Sequence, residues 1–165
     1  MNTRRLFLIL ALTLANPVAS ICAADHEMLF TTPFMDLHDQ PTNLQAYRGK
    51  PLMVNFWARA CPPCREELPL LNSVSHRYAQ DLTVIGIAVE EQTEAVRDFV
   101  SAYELDYPIL VGQQAGIRLM ADFGNHIAGL PFTVFINARG ELVRQKTGAL
   151  TEAEIVDALG VLLGM

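Results

Sequence analysis

Two cysteines separated by two prolines, Cys61-Pro62-Pro63-Cys64, are the side chains best placed by type and spacing to do chemistry in this 165-residue chain. Thiol–disulfide exchange needs one thiolate to attack a target disulfide and a second thiol close enough to release the mixed disulfide. Two intervening residues at the start of a helix meet both needs. Cys61 would sit at the helix N-terminus, where free N–H groups and the macrodipole favour a thiolate. Cys64, about one turn on, would point inward. The pattern predicts Cys61 as the attacking nucleophile and Cys64 as the resolving thiol, with no cofactor and no metal. Two other uses of the pair stand beside this one. A zinc site needs about four ligands, and His26, His38, His76 and His126 offer no paired spacing. A purely structural disulfide closing so short a loop would remove little entropy from the unfolded chain.

The dithiol must be positioned by a strand on one side and a helix on the other. Leu52 to Trp57 is almost continuously apolar, as expected for a strand buried on both faces of a sheet covered by helices. Trp57 ends that run beside the dithiol. Pro62 to Gln80 reads as a helix. Pro62 and Pro63 suit its first turn, where missing N–H groups cost nothing. Glu66 and Glu67 suit the N-terminal end of its dipole, and Leu68, Leu71, Val74, Ser75 and Tyr78 recur at helical spacing.

Further strands are expected over Leu82 to Val89, Tyr107 to Val111, Phe132 to Ile136 and Glu141 to Thr147, the last two forming a hairpin around Asn137 to Gly140. Helices are expected over Thr93 to Tyr103 and Ala115 to Phe123. A capping box, Thr151-x-x-Glu154, opens a final helix to Leu163. Ahead of all these, Asp39-Gln40-Pro41 marks a turn between two short strands. The order implies an α/β fold with a central mixed sheet, parallel at first and antiparallel at the end, helices on both faces and an N-terminal β-hairpin extension.

The first 24 residues are of another kind. Arg4 and Arg5 precede an apolar run from Leu6 to Ala15. Asn16-Pro17 breaks it, and small residues follow up to Ala24. This is the layout of a secretory signal peptide, with an uncleaved membrane anchor as the other reading. Residues 25–165 then form a single domain. Export, to the periplasm, places the chain in an oxidising compartment. Cys22, preceded by Ile21, reads as part of the leader, which leaves Cys61 and Cys64 as the cysteines of the mature chain. The formal net charge of −6 becomes more negative once Arg4 and Arg5 are removed. That acidity excludes the electrostatic footprint of a nucleic-acid binder.

The sequence resembles the thioredoxin superfamily, and within it the exported TlpA/ResA-like thiol–disulfide oxidoreductases. The residues that carry the resemblance are Tyr47-Arg-Gly-Lys-Pro-Leu-Met-Val-Asn-Phe-Trp-Ala58, Cys61-Pro-Pro-Cys-Arg-Glu-Glu-Leu-Pro69, Val84-Ile-Gly-Ile-Ala-Val-Glu90 and Gly129-Leu-Pro-Phe-Thr-Val-Phe-Ile-Asn137. The resemblance implies a thioredoxin-like fold. It implies that Pro131 follows a cis peptide and faces the dithiol, holding the Leu130 backbone open for a substrate strand and keeping metal ions off the cysteines. It further implies a buried acid that accepts the Cys64 proton. Cytosolic thioredoxins carry an Asp on the central strand, where this chain has Asn55. The related exported proteins often supply a Glu after the next strand, which makes Glu91, or else Glu90, the expected acid.

The implied function is the reduction of disulfides in exported proteins, apocytochrome c for example, with a membrane thiol donor of the DsbD/CcdA type. A disulfide oxidase, or a non-catalytic metal-binding or delivery domain using the same cysteines, would keep the same residues. Two departures bear on the site. Ala60, preceded by Arg59, stands where the family usually has Trp, and the segment Phe123-Gly-Asn-His-Ile-Ala-Gly129 is longer than in the shortest family versions. Arg59 would add positive potential near Cys61. His126, in the segment from Phe123 to Gly129, reads as a surface residue.

Overall fold

The computed structural model describes residues 26–164. The expected leader, with Cys22, lies outside the described residues. A five-residue helix α1 (Glu27–Thr31) is followed by the hairpin β1 (Phe34–Asp36) and β2 (Pro41–Thr42), and then by a short 3-10 turn at Gln45–Tyr47. The main unit comes next: β3 (Leu52–Trp57), α2 (Pro62–Arg77), β4 (Thr83–Ala88), α3 (Thr93–Ala102), β5 (Ile109–Val111), α4 (Gln113–Asp122), β6 (Phe132–Ile136), β7 (Leu142–Thr147) and α5 (Glu152–Leu163).

One seven-stranded sheet in the order β2-β1-β5-β4-β3-β6-β7 forms the centre. β3, β4 and β5 are parallel, while β6 runs antiparallel to β3 and β7 antiparallel to β6. The hairpin adds to the far edge, with β1 antiparallel to β5. This is the mixed sheet with an N-terminal hairpin that the residue pattern implies.

β3 shows why its sequence is apolar without alternation. Leu52, Val54 and Phe56 face a layer containing Leu29, Phe30, Leu119 and Met120 of α1 and α4. Met53 and Trp57 face the opposite layer, with Leu68, Leu71, Val96, Ile155 and Leu159 of α2, α3 and α5. A strand between two helical layers buries both faces, so both sets of alternate residues must be apolar. Asn55 is the exception. It is 1% exposed and points toward α2, where its amide is hydrogen-bonded.

The expected elements hold with small shifts at their ends. α2 stops at Arg77, because the buried positions Cys64, Glu67, Leu68, Leu71 and Val74 run out there and residues 79–81 are exposed. The capping box of α5 is formed, with the Thr151 hydroxyl accepting from Glu154 N–H and the Glu154 carboxylate accepting from Thr151 N–H. α1 has no counterpart among the expected elements. It has no side-chain cap, and its two buried residues, Leu29 and Phe30, are too few to set a helical period. No helix among the described residues is long and apolar enough to cross a membrane.

Candidate functional site

β3 and β4 deliver their C-terminal ends to one rim of the sheet, and β6 begins there. In a parallel sheet this is the end where connecting loops converge on ligands. Phe56 is paired with Phe132 and Trp57 with Ala88. The loops after β3, after β4 and before β6 therefore emerge side by side.

The first of these loops carries the dithiol. After Trp57 the chain turns, with Cys61 N–H donating to the Ala58 carbonyl at 3.1 Å. Cys61 is the N-cap of α2, and Pro62 and Pro63 occupy the first turn. Cys64 N–H donates to Cys61 Sγ at 3.3 Å, so the first sulfur receives one of the helix's free N–H groups. The two sulfurs are bonded, with S–S 2.08 Å and Cα–Cα 5.3 Å. Cys61 is half-buried and Cys64 is 1% exposed. The exposures separate a sulfur that a partner can reach from one that only its neighbour can reach.

Three residues beyond Cys64, on the same face of α2, lies Glu67. It is 3% exposed. Its Oε1 accepts from Asn55 Nδ2 at 3.1 Å and its Oε2 from Leu150 N–H at 3.2 Å. Asn55 also donates to Thr133 Oγ1 at 2.9 Å. A buried polar chain thus links β6, β3, α2 and the loop before α5. Burial pushes the Glu67 pKa from 4.5 up to about 7; the Leu150 N–H opposes the rise and the charge of Glu154 adds to it. A carboxyl poised near neutrality is suited to take or return a proton.

The structure corrects the expected identity of the buried acid. Glu91 is exposed, because β4 ends at Ala88 and the chain is already turning outward into α3. Glu90 is half-buried, but Arg59 holds it on two sides. Its Oε1 accepts from Arg59 N–H at 2.5 Å, and its Oε2 lies 2.7 Å from Arg59 Nε and 2.6 Å from an Arg59 terminal nitrogen. The residue in the buried position is Glu67. It interrupts an apolar stripe, Cys64, Leu68 and Leu71, at helical spacing, and an acid within such a stripe is a signal readable from the sequence.

The remaining expected residues also meet at this rim. The Leu130–Pro131 peptide is cis, as the resemblance implies. Pro131 is buried and Leu130 half-buried. Trp57 is fully buried against Phe99, at 5.3 Å between ring centroids. Its indole N–H and the Tyr107 hydroxyl are buried without a hydrogen-bond partner among the described residues. Burial raises the Tyr107 pKa, with a further contribution from the Glu67 charge.

Asn125 is a further structural residue with no counterpart among the sequence expectations. It is 6% exposed, and its side chain donates to the Gly129 carbonyl (2.8 Å) and accepts from Gly129 N–H (3.1 Å). These bonds brace the loop leading to Pro131. His126 is exposed on that loop. Ala60 is exposed as well, so the position where the family carries Trp presents a methyl group to solvent.

The Redoxin family model matches residues 23–162. A protein named thiol-disulfide oxidoreductase ResA from Halalkalibacterium halodurans is 34% identical over 118 residues, covering 71% of this chain and 65% of that one. Thioredoxin-like protein YneN of Bacillus subtilis is 31% identical, with coverages of 74% and 71%. The chain thus spans about two thirds of the length of these relatives. Among solved structures, a thioredoxin-family thiol:disulfide interchange protein from Chlorobium tepidum superposes with a TM-score of 0.70 at 28% identity, covering 81% of this chain and 95% of that one. A secreted Mycobacterium tuberculosis disulfide oxidoreductase homologous to E. coli DsbE gives 0.68 at 28% identity, with coverages of 84% and 100%. On its fold and on the family match over most of its length, the chain belongs to the Redoxin family and is a thiol–disulfide oxidoreductase-type thioredoxin-fold protein.

Proposed function

We propose that this protein is an exported thiol–disulfide oxidoreductase that reduces disulfides in other exported proteins. The observation that carries the reading is the half-buried Cys61 sulfur at the N-cap of α2, bonded to a buried Cys64 that shares a helix face with a carboxyl of raised pKa. In the reduced protein, the Cys61 thiolate attacks one sulfur of a target disulfide. A Cys61–target disulfide forms, and the other target sulfur leaves as a thiolate and takes a proton from solvent. Cys64 then gives its proton to the Glu67 carboxylate, and its thiolate attacks Cys61 Sγ. The second target sulfur leaves as a thiol once protonated. Two electrons have passed to the target, and Cys61–Cys64 is the oxidised product. An external dithiol must restore it, and a membrane donor of the DsbD/CcdA type fits that need. The leader-like first 24 residues support export to the periplasm, and a secreted relative of the same fold agrees with it. Apocytochrome c is a substrate of suitable chemistry, since it presents a cysteine pair that must be kept reduced.

The test is a pair of variants. Cys61→Ser abolishes reduction of a protein disulfide. Cys64→Ser retains the first attack and accumulates a covalent partner, which can be isolated from the periplasmic fraction and identified. Full reductase activity in Cys61→Ser would overturn the reading, as would a Cys64→Ser protein that traps nothing while Cys61 still alkylates.

A further inference from the structure

The Arg59–Glu90 pair has no part in the exchange steps above, yet it sits on the turn that delivers Cys61. Arg59 is two residues ahead of the nucleophile, inside the turn closed by the Cys61 N–H to Ala58 carbonyl bond. Glu90 comes from the neighbouring loop, two residues beyond the end of β4, and contacts Arg59 through backbone and side chain together. The backbone contact fixes the peptide between Ala58 and Arg59. The side-chain contact sets a carboxylate against the guanidinium. The two side chains are 33% and 16% exposed, so solvent screens the pair less than it would on an open surface.

An unpaired Arg two residues ahead of Cys61 would favour its thiolate. Very acidic thiols attack disulfides less well, because nucleophilicity falls with pKa and the best attacking thiol has a pKa near the ambient pH. A compensating carboxylate within hydrogen-bond distance removes most of that field.

We propose that Glu90 is a positioning residue for thiol–disulfide exchange: it holds the turn ahead of Cys61 and cancels the charge of Arg59, so that Cys61 stays a moderately acidic nucleophile. The proposal rests on the reading of Cys61 as the attacking thiol. Other titratable groups on the elements meeting at this rim are Arg65, Glu66 and Glu67 of α2, Glu91 beside Glu90, and His126 in the loop before Pro131. None of these is joined to the Arg59–Glu90 pair by a hydrogen bond or salt bridge, so the pair can be altered alone.

The experiment follows the pH dependence of Cys61 alkylation in the reduced, full mature protein. Three variants are compared: Glu90→Gln, Arg59→Met, and the two together. Glu90→Gln keeps an acceptor for the Arg59 N–H and removes only the charge. Its alkylation midpoint should fall by about one pH unit, and its rate well below the midpoint should rise by about threefold, since nucleophilicity offsets part of the gain in thiolate. Arg59→Met should raise the midpoint by a similar amount. The double variant should return near the wild type, because both charges are gone. Opposite shifts that cancel are a signature that a merely structural role would not give. Shifts of the same sign, or no shift in either single variant, would overturn the proposal. Alkylation reports on the thiol whether or not a disulfide is turned over. A wild-type protein with no reductase activity would therefore sink the functional reading and leave this result standing.

Discussion

Glu67 and Glu90 are carboxylates near one dithiol, and they differ in what faces them. Glu67 is 3% exposed and is met only by an amide and a backbone N–H. Neither partner carries a positive charge, and desolvation raises its proton affinity to the middle of the physiological range. Glu90 is also partly withdrawn from water, but a guanidinium grips it. The first arrangement makes a proton acceptor for a buried thiol. The second makes a fixed counter-charge for a loop. Burial alone does not assign an acid its role; the charge of its partner does.

The strongest way to break this comparison is to remove the Glu67 charge. An acid whose pKa is raised on folding holds its proton more tightly in the folded state than in the unfolded one. The cost of ionising Glu67 is therefore absent below about pH 4.5 and complete above about pH 7. Relative to the wild type, Glu67→Gln should gain stability across that window, by up to about 3 kcal/mol at pH 8, measured by denaturant unfolding at pH 4 and pH 8. The same variant should slow release of the mixed disulfide by about 100-fold while leaving Cys61 alkylation intact. A flat stability difference across the window would put Glu67 in the class of Glu90.

Asn55 sharpens the comparison from the other side. Its N–H bond favours the ionised form of Glu67, so Asn55→Leu should push the carboxyl pKa higher and move the pH profile of Cys64 reactivity upward. It also removes the donor that Thr133 Oγ1 accepts from. A cost of about 1–3 kcal/mol is expected at pH 8, where Glu67 is ionised, and less at pH 4. A downward move of the profile would mean that Asn55 does not act through Glu67.

The fold was legible because its signals are periodic. β3, β4 and β6 are buried on both faces and read as apolar runs, and α2 and α3 show helical spacing. The dithiol and its helix-start position were legible from residue type and order, and the cis peptide at Pro131 was implied by the family resemblance. The buried acid was missed because the family resemblance points to a Glu after β4 and so passes over α2, where Glu66 and Glu67 are adjacent and chemically identical. Only their angular position separates them: Glu67 shares the face of Cys64, Leu68 and Leu71, while Glu66 is exposed. The Arg59–Glu90 contact spans 31 residues, and it follows from the parallel register of β3 and β4, which no local pattern encodes. Asn125 escaped for a related reason. Its bonds to Gly129 lie within a loop, where residue type alone does not fix a conformation.

The smallest expected effect belongs to Glu91. It neighbours Glu90 in sequence and was the acid that family resemblance favoured, but its side chain is exposed. An exposed carboxylate that caps no helix by its side chain and joins no ion pair contributes within about 0.5 kcal/mol to stability, and solvent and salt screen its field. Glu91→Gln should therefore leave unfolding, the Cys61 midpoint and the Cys64 profile unchanged within error, in the same assays that register Glu67→Gln and Glu90→Gln. A shift in the Cys64 profile from Glu91→Gln alone would mean that an acid reaches the resolving thiol from the loop after β4. The contrast drawn between α2 and that loop would then be reversed.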